Sequence, residues 1–477
     1  MSTLNNTLVV DLDGTLIKTD ILHETFWSAF SKDWKTPFKA LTKLITGKAE
    51  LKEYLSNISE IDIKLLPFNE TVIEYIKQFR SKGGYAVLVT ASNIAIAKKI
   101  ANHLGFFDEV HGSTSSLNLK SEKKMEFLIS HFGKKKFDYI GNSSADIPVW
   151  KYAFKAISVN ASSNLKKACN KVNQNCEHLK TKSFHHPLLI YCTALRPHQW
   201  LKNTLVFLPM LAAHKITSLY FLESFSAFIA FSLISSSVYI TNDLLDLGAD
   251  RIHPRKKNRP FASGSIPINH GIIIAPLLLL LGLSVTFFIN KFFLIVLLIY
   301  YTLTSAYSLV LKRKVIIDIC TLAGLYTIRI IGGGAATQIG ISFWLLSFSI
   351  FIFLSLAAVK RQAELVDLGK RGNLKIAGRS YSADDLPIVS IVALIAGFIS
   401  ILIIAMYVNS PEVLILYSSP RILWGVCCFL LYWLIKMVIA GYRGEMHDDP
   451  LIYAIKNRMS QFVFLTIAAL ILLSATQ

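Results

Sequence analysis

Acidic residues are scarce in this chain of 477 residues: 31 Asp and Glu stand against 50 Lys and Arg, a formal charge of +19. Such an excess could serve a nucleic acid, but no basic patch interleaved with aromatics supports that reading. With 53% hydrophobic residues and a mean hydropathy of +0.46, cationic loops at the cytoplasmic face of a membrane account for it more simply. The six cysteines form no CxxC pair, which excludes a zinc ribbon and a disulfide framework; all are read as reduced or buried. A signal-peptide pattern is lacking as well. A short polar lead runs straight into LVVDLDGTL, so the N-terminal part is expected to stay in the cytoplasm. Long repeats and low-complexity segments are also missing.

Long hydrophobic runs are absent before about Pro187 and recur after it, each about twenty residues and long enough to cross a bilayer. This predicts a soluble part over residues 1–185, a linker over 186–195 and a polytopic membrane part over 196–477. Nine apolar segments are expected, centred near Leu208, Phe231, Leu280, Ile299, Tyr326, Phe351, Ala396, Phe429 and Thr466. Basic loops at Arg251–Arg259, Lys312–Lys314, Lys360–Arg379 and Arg443–Arg458 fall in every second connection. The positive-inside rule places them and the soluble part in the cytoplasm, with the C-terminus outside. The linker region, from about Glu177 to Thr193, carries Lys180, Lys182, His185 and His186, which suit a membrane surface.

In the first part, Leu8–Val10, Ala86–Val89, Phe137–Ile140 and Ala156–Val159 read as strands. Asn69–Lys82, Asn93–Leu104, Ser121–Phe132 and Ser163–Asn173 read as helices. The alternation predicts a parallel sheet covered by helices, with ligands at the carboxyl ends of the strands. Those ends carry Asp11-Leu12-Asp13-Gly14-Thr15, Thr90-Ala91-Ser92 and Gly141-Asn142-Ser143-Ser144-Ala145-Asp146. DxDGT after a strand, followed by these elements, resembles the haloacid dehalogenase superfamily of phosphohydrolases. The resemblance implies a Rossmann-like α/β domain in which Asp11 attacks phosphorus and Asp13 protonates the leaving alcohol and then activates water. It places Mg²⁺ between Asp11, the backbone carbonyl of Asp13 and Asp146, with Thr90 and Lys124 on the phosphoryl oxygens. Lys120 and Lys123 are rival candidates for that lysine. Asn142 departs from the Asp that many members carry, which puts metal affinity in doubt. Residues 21–66 are expected to form a small helical cap over the site.

The segment Asn242–Gly264, NDLLDLGADRIHPRKKNRPFASG, lies between two apolar runs. Asp243, Asp246 and Asp250 recur at i, i+3 and i+7, on one face at helical pitch. Three carboxylates so placed repel one another unless a cation neutralises them, and Mg²⁺ shared with substrate phosphates does so. Arg251, Arg255, Lys256, Lys257 and Arg259 could bind those phosphates directly. This stretch resembles the first aspartate-rich motif of the UbiA superfamily of intramembrane prenyltransferases, and the resemblance runs from about Arg196 to the C-terminus. It implies an all-α nine-helix bundle in which Asp243, Asp246 and Asp250 bind a diphosphate through Mg²⁺, beside Asn242.

Elsewhere, Leu195–Asn203 brings Lys202 and Asn203 into an apolar run, and Tyr307 with Lys312 resembles the family's YxxxK element, one residue wider. Lys312 reads equally as a positive-inside loop residue. Arg329 inside an apolar segment implies a polar cavity, and Gly332-Gly333-Gly334 implies close helix packing. Where prenyltransferases acting on aromatic acceptors carry a second acidic motif, DxxxD, this chain has Lys360 and Glu364, with Arg361 between them.

LRPxQWxKN, NDxxDxxxDRxHPxKxxRP and VKRxAEL together resemble the decaprenyl-phosphate phosphoribosyltransferases. These move 5-phosphoribose from phosphoribosyl diphosphate to a polyprenyl phosphate. The resemblance implies phosphate-binding roles for Lys202, Asn203, Asn242, Arg251, Lys257, Arg259, Tyr307, Lys312, Lys360, Arg361 and Glu364. It also implies that the first domain removes the 5-phosphate from the product. An aromatic prenyltransferase with an accessory phosphatase is the alternative. A transporter with a regulatory soluble domain would leave the ordered aspartates unexplained.

Overall fold

The computed structural model describes residues 7–114, 118–180, 187–370, 380–446 and 449–475. Lys182, His185 and His186 of the expected linker lie outside the described residues. The chain divides into two compact units: one holds the chain up to Ala194 together with Ile240–Ile273, the other Leu195–Tyr239 and the chain from Ile274 onward. The aspartate-rich segment therefore belongs to the same unit as the N-terminal sheet.

That sheet has six parallel strands: β1 (Thr7–Val10), β2 (Tyr85–Asn93), β3 (Glu109–Ser113), β4 (Asp138–Gly141), β5 (Ala156–Val159) and β6 (Cys176–Leu179), in the order β3-β2-β1-β4-β5-β6. Val9 pairs with Val87 on one side and Tyr139 on the other. Successive side chains point to opposite faces, so Leu8 and Val10 join one core with Leu88, Ile140 and Ile157, while Val9 joins another with Val87, Tyr139 and Trp150. Helices α4 (Glu70–Ser81), α5 (Ile94–Leu104), α6 (Glu122–Phe132), α7 (Ile147–Tyr152) and α8 (Ser163–Val172) cover its faces, and α1 (Ile21–Lys32), α2 (Thr36–Thr46) and α3 (Lys48–Ile58) form the insertion after β1. The strand order reverses beside β1, and such a switch point opens a crevice at the strand carboxyl ends.

The insertion forms the expected small helical subdomain. Asp20 caps α1 by accepting from Leu22 N and His23 N, and Ala29, Ala40, Leu51 and Leu55 close a separate core among α1, α2 and α3. β3 and β6 were not expected. Their sequences, EVHGS and CEHL, are polar because edge strands are half exposed. β6 occupies the start of the expected linker, and a helix, Pro187–Leu195, forms its far end.

Eight helices among the described residues are long and apolar enough to span a membrane: Ser218–Leu245, Ile268–Phe288, Lys291–Leu309, Ile317–Thr337, Phe343–Lys370, Ala383–Val408, Pro420–Arg443 and Arg458–Ala475. The ninth expected span, near Leu208, is absent. Pro197–Phe207 is a 3₁₀ helix and Leu208–Ala212 a five-residue α-helix, with Pro209 at its start. Lys202 and Asn203 interrupt the run, and a proline with no amide hydrogen favours a new helix start. Gly333 on Ile317–Thr337 lies against the Val206 carbonyl with no room for a Cβ, so this helix and the 3₁₀ segment meet backbone to backbone.

Candidate active sites

At the carboxyl ends of β1 and β4, Asp11 and Asp146 are buried. Lys124, at the start of α6, donates to Asp11 Oδ1 at 2.6 Å and to the Tyr139 hydroxyl at 3.1 Å, and that hydroxyl donates to Asp146 Oδ1 at 2.8 Å. The other oxygen, Asp146 Oδ2, accepts from Asn142 N, Ser143 N and Ser143 Oγ at 3.0, 2.9 and 3.1 Å. The chain turns sharply after Asp13 because Gly14 adopts φ +71°, and a Cβ there would strike the Asn142 side chain. Of the three candidate lysines, Lys124 is buried on Asp11, whereas Lys120 and Lys123 are exposed.

Asp13 is fixed differently. Its Oδ1 accepts from Ile21 N at 2.8 Å, and its Oδ2 accepts from Ser92 Oγ at 2.6 Å and Thr90 Oγ1 at 3.3 Å. Thr90, expected on a phosphoryl group, thus points to Asp13, and Ser92 holds Asp13 more tightly than Thr90 does. Burial pushes the Asp11 carboxyl up to about 6 even with Lys124 beside it, and burial with Asp20 and Asp11 nearby pushes Asp13 up to about 7. Three carboxyl groups served by one buried lysine form an oxygen-rich set that suits Mg²⁺.

The aspartate-rich segment departs from one continuous helix. Ser218–Leu245 ends before Asp246, and Leu247–Ile252 follows as a separate turn-and-a-half. Bonds from Asp246 N to Asn242 O and from Asp250 N to Asp246 O bridge the interruption and keep the acids near helical phase. Asp243 and Asp250 are buried and meet at Arg259, whose Nη1 lies 3.1 Å from Asp243 Oδ1 and 2.6 Å from Asp250 Oδ2. Burial pushes the Asp250 carboxyl upward against the pull of Arg259. Asn242 Oδ1 is buried with no hydrogen-bond partner. Two buried carboxylates that share one arginine, with an unpartnered amide oxygen in the same segment, are oxygen donors of the kind a divalent cation takes.

Arg251, expected on a phosphate, is instead committed to Glu24 of α1. Its Nη1 and Nη2 reach the Glu24 carboxylate at 3.0 and 2.6 Å, and its Nε donates to the Ala262 carbonyl. Lys257 is exposed.

In the helical unit, Lys202 and Lys360 converge on a residue that motif reading passed over. Asp449 Oδ2 lies 2.7 Å from Lys202 Nζ and 3.1 Å from Lys360 Nζ, and the Tyr326 hydroxyl donates to both of its oxygens. Burial alone would raise the Asp449 carboxyl, but the two lysines outweigh it and hold it well below the usual range. Asn203 is fully buried; its Oδ1 accepts from Arg329 Nε at 2.7 Å and its Nδ2 donates to Ser232 Oγ. Arg329 also donates to the Tyr300 hydroxyl at 3.0 Å.

A second network holds the remaining expected residues. Arg361 pairs with Asp318 Oδ2 at 2.6 Å and with Glu364, and the Tyr307 hydroxyl donates to Asp318 Oδ1 at 2.8 Å. Lys312 is half-buried. The signal for Asp449 was available: an Asp before Pro450, in helix-capping position, within a loop read only for its basic residues.

Residues 204–454 match the model of the UbiA prenyltransferase family. The chain belongs to the UbiA prenyltransferase family. Its UbiA region and eight apolar helices make it an integral membrane protein of the UbiA transferase kind. The uncharacterized protein y4nM of Sinorhizobium fredii is 34% identical over 464 residues, 97% of this chain and 90% of that one. The decaprenyl-phosphate phosphoribosyltransferase of Mycolicibacterium smegmatis is 32% identical over 280 residues, 57% of this chain and 88% of that one. A UbiA homolog from Archaeoglobus fulgidus, solved with GPP and Mg²⁺, is 15% identical over 59% of this chain and 99% of its own, with a TM-score of 0.46.

Proposed function

We propose that this UbiA-family protein is bifunctional: it transfers 5-phosphoribose from phosphoribosyl diphosphate to a polyprenyl phosphate, and its N-terminal domain then removes the 5-phosphate. The observation that carries the first half is the lysine at position 360. The aromatic-acceptor motif requires an acid there, and this side chain is instead a cation shared with Lys202 around Asp449. Two lysines for one carboxylate leave a net positive charge, which suits a donor with a phosphate as well as a diphosphate. The similarity to the phosphoribosyltransferase over 57% of this chain agrees with it.

In this reading Asp243, Asp246 and Asp250, with Asn242, would hold Mg²⁺, which when bound would supply positive charge to offset the diphosphate. Lys202, Lys312 and Lys360 add cationic groups for donor and lipid phosphates. The lipid phosphate is already anionic and attacks the ribosyl carbon without a strong base. Arg259 orders Asp243 and Asp250, and Arg251 braces that segment through Glu24; Arg361, Tyr307, Glu364 and Asp318 form an ion network of their own in the helical unit. Positive-inside placement puts the basic loops and the N-terminal domain in the cytoplasm.

The second half follows the resemblance to haloacid dehalogenases. Asp11 attacks the 5-phosphate and forms an aspartyl-phosphate, and the ribose oxygen leaves with the proton of Asp13. A carboxyl pushed up to about 7 by burial can hold that proton near neutral pH. Lys124 keeps Asp11 oriented, and Asp146 completes the oxygen set for Mg²⁺. Asp13 then takes a proton from water as the phosphoenzyme is hydrolysed.

Mass spectrometry of lipids after incubation with phosphoribosyl diphosphate, polyprenyl phosphate and Mg²⁺ tests both halves. The expected product is the dephosphorylated polyprenyl phosphoryl-ribose, with diphosphate and phosphate released. Prenylation of an aromatic acid from a prenyl diphosphate would establish the alternative.

A further inference from the structure

The phosphatase site contains a cation that no step above employs. Lys52 lies on α3 of the helical insertion, half-buried, and its Nζ donates to the Ala91 carbonyl at 2.6 Å. Ala91 is the residue between Thr90 and Ser92, whose hydroxyls both bond Asp13 Oδ2. The same cleft is lined by Ile21, Leu22, Thr25, Ser92 and Ile96 along with Lys52. The lysine thus reaches from the insertion to the carboxyl end of β2, beside the catalytic aspartates.

The Ala91 carbonyl does not require it. Ser113 Oγ already donates to that oxygen at 2.8 Å. An ammonium group carries three hydrogens, and holding a long, flexible side chain in one place costs rotamer entropy. Burial pulls the Lys52 ammonium downward, Asp13 and Asp20 oppose that, and Lys120 and Lys124 add to it, so the group lies among charges of both signs. Lys124, on α6, is already engaged with Asp11. A cation on the insertion, at the edge of a cleft whose lining is part apolar (Ile21, Leu22, Ile96) and part polar (Thr25, Ser92, Asn93), is placed for a second anionic group on the substrate.

We propose that Lys52 forms a second anion subsite of the phosphatase site, taking the phosphodiester of a substrate whose phosphomonoester lies at Asp11. This rests on the proposed function, whose intermediate carries both groups on one ribose: a monoester at the 5 position and a phosphodiester to the lipid. The subsite would distinguish that intermediate from sugar phosphates carrying one anion. Lys52 is a specificity-determining residue in this account and takes no part in bond making or breaking.

The test uses the full-length protein in detergent and two probes: ribose 5-phosphate, and 5-phosphoribosyl farnesyl phosphate, which adds the phosphodiester. Phosphate release gives kcat and KM for each. Wild type should prefer the two-anion probe through a lower KM. Lys52→Met should cut that preference by ~10-fold or more, the worth of one charged hydrogen bond, through KM rather than kcat. Lys52→Arg should restore most of it. Equal losses on both probes, or a preference unchanged in Lys52→Met, would overturn the subsite, because a lysine that merely clips the insertion to β2 has no reason to distinguish them. Wild-type hydrolysis of ribose 5-phosphate with no preference for the second probe removes the subsite and leaves the phosphatase assignment standing. Hydrolysis of neither probe removes both.

Discussion

In the α/β unit, the groups at the Asp11 site come from short motifs at the ends of three strands and the first turn of one helix. In the helical unit, buried charges find partners up to about half the chain away: Lys202 and Asp449 are 247 residues apart, Arg329 and Asn203 are 126 apart. The difference is one of geometry. A parallel sheet delivers consecutive strand ends to one edge, so each local motif lands at the site. A helix bundle presents each residue to a neighbour chosen by packing, so a carboxylate can neutralise lysines from helices distant in sequence. Hydrocarbon surroundings make such pairing obligatory, because an unpaired ion there is costly.

Replacing Asp11 by Asn tests the sheet side with the largest expected effect. Phosphate release should fall ~10³-fold or more, as expected for loss of a nucleophile, while diphosphate release continues and the 5-phosphorylated lipid accumulates. An unaltered dephosphorylated product from purified components would remove Asp11 from the mechanism.

Asp449→Asn tests the helical side. It leaves the buried Lys202 and the half-buried Lys360 without their shared counter-charge, so thermal unfolding in detergent should show a loss of ~3–5 kcal/mol, the usual consequence of breaking a buried pair. Transfer should fall with it. A variant as stable as wild type would mean that the lysines have another partner and that the contrast between the two units is weaker than drawn here.

Glu24→Gln addresses the ion pair that joins the helical insertion to the aspartate-rich segment. Arg251 would lose a bidentate partner, at a cost of ~2 kcal/mol for charged hydrogen bonds, and diphosphate release should drop several-fold. Exchanging the charges, Glu24→Arg with Arg251→Glu, should recover part of the loss. Equal transfer rates in wild type and Glu24→Gln would show that the segment keeps its shape without the pair.

The smallest effect concerns Asp138, at the start of β4, whose buried Oδ1 has no hydrogen-bond partner. Burial pushes this carboxyl up to about 6 against the pull of Lys155. The folded state therefore binds the proton more tightly than the unfolded chain does. Stability should be lost as pH rises from about 4 through about 6, by ~1–3 kcal/mol. Asp138→Asn should melt higher than wild type at pH 7.5 and match it near pH 4. A constant difference across that range would remove the titration as its cause.

Several features could be read from residue order alone. Central strands such as LVV and AVLV announce themselves because both faces are buried, and the helices between them carry clear apolar periodicity. The edge strands β3 and β6 escaped notice because exposure allows Glu109, His111, Glu177 and His178 where a central strand has valine. The short apolar run near Leu208 looked like a span because hydropathy counts carbon and not backbone geometry. Pro209, with the buried Lys202 and Asn203, turns it into a 3₁₀ segment packed against Gly333.

By itself the sequence determined the α/β character of the first domain, the helical character of the second, and the identity of the carboxylates at the Asp11 and Asp243 sites. These follow from periodicity, strand-end placement and spacing along one helical stretch, which are local properties. Only the tertiary structure decided that Lys124 rather than Lys120 or Lys123 meets Asp11, that Arg251 belongs to Glu24, and that Asp449 gathers Lys202 and Lys360. Each is a choice among chemically equivalent side chains. The choice depends on which one burial deprives of water and which opposite charge packing brings within about 3 Å to replace it.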